Sequence, residues 1–187
     1  MRNLVLPLLL ALALGCGTRR RGTALDAGPV DLAVEAAKLI PFLPSHVGPF
    51  ASSVAASTSI SPVEPRIEAE RAYKTSDGRT LSVRLITGDL RSDLVALASD
   101  EEHAFGSDTP TFWRTTSIRG FRTRIAEERP TARKSESYVQ VGPNHVVEVR
   151  VFPPSRTGES ASLAALLNLE GLAKTGGVPG PPREPTR

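Results

Sequence analysis

The chain has 187 residues, 40% hydrophobic, 23% charged and 5% aromatic, which is too short for two ordinary domains and too polar to cross a membrane repeatedly. Its net charge of +3, from 23 Lys and Arg against 20 Asp and Glu, is spread among acids rather than gathered with stacking aromatics, so nucleic acid is not an expected partner. A single cysteine excludes an intramolecular disulfide and any zinc site built from paired CxxC motifs.

The chain opens MRNLVLPLLLALALGC. One basic residue, Arg2, precedes an apolar run over 4–14 that is too short for a hydrocarbon core about 30 Å thick and has the length of a signal-peptide core. The lone cysteine follows directly on Ala13, Leu14 and Gly15. This ending resembles the lipobox of bacterial lipoproteins, with Ala13 where Leu is usual. The resemblance implies cleavage before Cys16, a diacylglyceryl group on its sulfur and an acyl chain on the new amino terminus. At about 0.8 kcal/mol per buried CH2, two or three such chains anchor a protein essentially permanently. The expected location is the bacterial cell envelope. Gly17 stands where Asp would retain an enterobacterial lipoprotein at the inner membrane, which favours the outer membrane. Arg19, Arg20 and Arg21 follow, each worth about 1 kcal/mol of attraction where acidic headgroups are near.

Composition divides the chain into a signal peptide over 1–15, a lipidated flexible tether over 16–30, a folded domain over 31–175 and a disordered Pro/Gly-rich tail, GGVPGPPREPTR, over 176–187. Within the domain, DLAVEAAKLI at 31–40 places Leu32, Ala36, Leu39 and Ile40 on one helical face, with Asp31 at its start and Pro41 and Pro44 ending it. PFLPSHVGPF then supplies an apolar turn over one end of the core. The Ser/Ala/Thr stretch at 51–61 reads as a loop.

Residues 66–74 and 81–86 alternate, Ile67, Ala69 and Tyr73 sharing one face of the first strand and Leu81, Val83 and Leu85 one face of the second. Between them Asp77-Gly78 is expected to supply the positive φ angles of a tight hairpin. Asp89 or Ser92 caps a helix through Ala98 carrying Leu90, Leu94 and Leu97. Beyond an acidic loop, 112–118 and 120–127 read as extended. Residues 137–141 and 146–152 form a second hairpin across Gly142-Pro143-Asn144. Pro153-Pro154 stops that strand, and Ser160 or Ser162 caps a last helix through Lys174.

Strands with one polar face call for helices on the other, so the expected fold is α+β: a single small domain with an antiparallel sheet and helices mainly on one face. The order of elements resembles small uncharacterised envelope lipoproteins of bacteria, a resemblance that carries no chemical motif.

No HExxH, GxSxG, Walker loop or GxGxxG is present, and His46, His103 and His145 are expected in separate loops or turns. The chain reads as non-catalytic and without a cofactor. Asp100, Glu101, Glu102, His103 and Asp108 are the one concentrated set of metal-ligand types, yet their spacing fits no EF-hand and an ordinary solvated acidic loop accounts for them. Arg122 and Arg124 project together if Phe121, Thr123 and Ile125 face inward, and a neighbouring strand is expected to bring Arg114 beside them, a basic row for an anionic partner. Against that stands an ordinary polar sheet face balanced by Glu68, Glu70 and Glu148. Trp113 is expected to fill the core. The functional expectation is a membrane-anchored interaction or accessory module engaging an envelope protein or an anionic polymer. The alternatives are a domain binding a small ligand or ion and, behind it, an enzyme without a motif.

Overall fold

The alternation at 66–74 and 81–86 is realised as two long antiparallel strands, and the remaining strands assemble on either side of them. The computed structural model describes residues 31–61, 66–88, 90, 97, 111–128 and 133–176. Cys16 and its leader, the tether, the group from Asp100 to Asp108 and most of the tail lie outside the described residues.

Helix α1 (Leu32–Leu39) starts where Asp31 accepts hydrogen bonds from the backbone of Ala33 and Val34, and it buries Ala36 and Leu39 as the spacing requires. Pro41 does not end the coiling but tightens it into a 3-10 turn, Ile40–Phe42. The next segments are strands rather than a turn and a loop: β1 (His46–Val47), β2 (Phe50–Ser52) and β3 (Ser57–Ile60). Alternation is invisible over runs this short, and β2 and β3 exist because both pair with the same edge of β4 (Arg66–Lys74).

β4 and β5 (Thr80–Gly88) are joined by a turn in which Gly78 N–H donates to the Thr75 carbonyl and Thr75 N–H donates to the Arg79 carbonyl. Only Gly78 takes a positive φ, +88°. The hairpin is thus a three-residue loop with a glycine bulge, and Asp77 serves by accepting from Thr75 and Arg79.

β6 (Thr111–Ile118), β7 (Phe121–Glu128), β8 (Ser135–Val141) and β9 (His145–Phe152) form a meander whose last strand docks on β5. The order β1-β2-β4-β5-β9-β8-β7-β6 is antiparallel throughout, with β3 also on β4. After the cis Phe152-Pro153 bond the expected long helix is two short ones, α2 (Glu159–Ala164) and α3 (Leu169–Ala173). Asn168 breaks the run by accepting from Gly171 N–H as the cap of α3. Ser160 caps nothing; its hydroxyl is buried against that of Ser135.

The main core joins Leu39, Leu43 and Phe50 to Ile67, Ala69, Tyr73, Leu81, Val83, Leu85, Val147, Val149 and Val151, with Leu163, Leu167, Leu169 and Leu172 from the last two helices. Each such aliphatic side chain contributes about 1.5–3 kcal/mol on burial. Leu90 and Leu97 pack with Ile86 and Val146, which by strand alternation lie on the opposite face. The molecule is therefore richer in sheet than an α+β layer, about half strand, with short helices. The reason is that the polar 51–61 region pairs with β4 instead of looping out.

Candidate interaction surface

Cross-strand partners share a face, so the register sorts the chemistry-bearing residues. On the face away from the main core, Glu70, Arg84, Glu148, Tyr138 and Arg124 form one row, and Ser82, Arg150, Glu136, Ala126 and Trp113 the next. Salt bridges stitch these rows together. Arg84 Nε reaches Glu148 Oε2 at 2.7 Å and its Nη1 reaches Glu68 at 3.3 Å, while Arg150 contacts Glu148 and holds Glu136 at 2.9 Å. Lys134 joins Glu136 at 2.7 Å, and Tyr138 donates to the same carboxylate. The result is a carboxylate, Glu148, only 1% exposed on a nominally polar face, walled in by the guanidiniums that neutralise it. Burial, reinforced by Glu148 and Glu136, pushes the Tyr138 phenol well above its ordinary range, so it stays a hydrogen-bond donor.

The three expected arginines do not form one row. Thr123 and Ile125 do face inward, and Arg122 and Arg124 do lie on the outer face. Arg124, however, is 5% exposed and stacks 4.3 Å from the Trp113 ring centroid, so its charge is spent on an aromatic face. Arg114 is opposite Ile125 in register and hence on the other face, its guanidinium beside Gly158. One residue of offset in a strand reverses a side chain, which is why spacing alone misplaced it. Trp113 does not fill the main core. It sits half-buried on the outer face against Arg124 and, at 6.1 Å between centroids, Tyr138.

Sequence reasoning missed the sheet's edge. β6 is the terminal strand among the described residues, and Arg114, Thr115, Thr116 and Ser117 are all exposed. A two-residue turn, Arg119-Gly120 with φ of 50° and 82°, closes it onto β7. In such a hairpin the residues flanking the turn, Ile118 and Phe121, exchange hydrogen bonds, and alternate residues follow suit. Thr116 and Arg114 therefore bond to β7, whereas the N–H and C=O groups of Trp113, Thr115 and Ser117 point away from the sheet. The signal was present in the sequence, a strand with no Pro or Lys, but which strand is terminal is a property of the topology.

Among the described residues the larger concavities lie elsewhere on the surface. One of about 340 Å³ is lined by Glu35, Lys38 and Leu39 of α1 with Thr87, His145 and Thr175. His145 opens β9 rather than lying in a turn, and it is 2% exposed. Thr175 Oγ1 donates to the Leu172 carbonyl, so both Thr175 oxygens near His145 Nε2, at 3.0 and 3.1 Å, are acceptors and the ring proton sits on Nε2. The other concavity, about 480 Å³, lies between Gly48, Leu163 and Leu166 and the Arg79–Glu159 salt bridge. Among the described residues no three His, Cys, Asp or Glu side chains gather as metal ligands, and no helix is long and apolar enough to cross a membrane. No protein-family model, curated protein or solved structure matches the chain.

Proposed function

We propose that the protein is a non-catalytic, lipid-anchored module of the bacterial envelope, held by acyl chains on Cys16, that works by engaging another polypeptide through the β6 edge. With α1, α2 and α3 contributing to the core on one side of the sheet, the working surface is the terminal strand and the polar face beside it. The observation that carries this reading is the outward row of backbone donors and acceptors at Trp113, Thr115 and Ser117 on a strand exposed at four consecutive residues. An extended segment added there gains main-chain hydrogen bonds, with side-chain contacts to Arg114 on one face and to the Trp113–Arg124 pair on the other. The salt-bridged face supports a stiff platform rather than a binding row of arginines.

The test places a photo-crosslinking amino acid at Ser117 of the full-length chain in native membranes, with the same group at Ser76 in the β4–β5 turn as control. Adducts to a polypeptide at 117, lost on Thr115→Pro and absent at 76, are expected. Equal labelling at both positions, or none at 117, refutes the reading.

A further inference from the structure

The two ends of the sheet are built differently. Beyond β4 the edge is made of very short strands, β2 and β3, separated by residues 53–56, and β1 adds only His46 and Val47. Short, broken edge strands are a standard protection against pairing with another chain. β6 has none of these protections. It runs unbroken from Thr111 to Ile118, reads TFWRTTSI, is rich in β-favouring residues and carries a single charge, Arg114. Neither proline nor lysine blunts it, its one charge, Arg114, stands exposed on the main-core face, and no hydrogen bond from the described residues reaches its outward groups.

We infer that the segment seated on this edge is β6 of a second copy of the chain, paired antiparallel about a two-fold axis at Thr115; the inference rests on the reading of β6 as the docking edge. The hydrogen-bond phase permits that register. Thr115 meets its own counterpart and Trp113 meets Ser117 of the other copy, so these three residues of each strand oppose one another and exchange both N–H···O bonds in each pair. Arg114 then stands opposite Thr116. Moving the axis by one residue to Arg114 sets the two guanidiniums face to face, which is unfavourable. The lone charge thereby disfavours that neighbouring register. A C2 contact of this kind is closed, consuming both edges and leaving at the far ends only the protected strands, so it yields a dimer and not a fibre. Across the seam the two outer faces become one continuous surface, each copy contributing its Trp113–Arg124 pair.

The experiment measures the mass of the full-length chain in detergent over a range of protein concentration. Wild type is expected to be a dimer. Thr115→Pro and Ser117→Pro are expected to be monomers of unchanged melting temperature, because the N–H each removes points away from β7. Thr116→Pro removes a bond to β7 and is expected to lower the melting temperature, which checks the assigned phase. A dimer that survives both outward prolines overturns the inference, and so does a monomeric wild type. In the latter case, adducts from Ser117 to a different protein leave the docking reading standing, while the absence of adducts removes both.

Discussion

Glu148 shows how a single position departs from what its neighbours in sequence imply. It alternates outward with Arg150 between three buried valines, yet it is buried because Arg84 and Arg150 close over it. Glu148→Ala removes the carboxylate that Arg84 and Arg150 share, leaving the first to Glu68 and the second to Glu136, and chemical denaturation is expected to record a loss of about 1–3 kcal/mol, more than for truncating exposed Glu70. His145 sets a second residue-scale property. Burial holds its imidazole below the ordinary value, although the hydrogen bond to Thr175 opposes this. Between that depressed value and about 6.5 the unfolded chain binds more protons than the folded one, so stability falls as pH is lowered through the window. Melting curves across this range are expected to flatten in His145→Gln. Glu35 and Lys38, which line the same cavity and pair at 2.6 Å, stay in place as an internal control.

At the scale of elements, the turns carry the strain. Arg119 occupies the first central position of the β6–β7 turn with φ of 50°, a conformation that costs most L-residues about 1–2 kcal/mol. Arg119→Asn, the residue this turn type favours, is expected to raise stability by about 0.5–1 kcal/mol without altering the strand register. The long strands were legible because their alternation persists over enough residues to exceed noise: Ile67, Ala69 and Tyr73 face the core as their period requires. β2 and β3 were not, since three and four residues carry no period and their reason to be extended is the free edge of β4. The last helix was misjudged for a local reason, Asn168, whose side chain competes for a backbone N–H better than it continues a helix.

For the whole molecule, the proposed anchor and the proposed dimer act together. A membrane confines copies of the chain to a surface and raises their effective concentration, which favours a modest edge-to-edge contact. Cys16→Ser is expected to move the protein from the membrane to the soluble fraction on fractionation, with the melting temperature of the domain unchanged. By itself the sequence determined the long strands, the first helix, the two hairpins marked by glycine turns at 77–78 and 142–144, and the inward faces of the strands that alternate clearly, because these follow from short-range periodicity and turn chemistry. Only the tertiary structure decided which strand ends the sheet among the described residues, that Arg114 and Arg124 lie on opposite faces, and that Glu148 is enclosed. Those are relations between strands brought together by long-range pairing, and a one-residue change of register, silent in composition and spacing, reverses them.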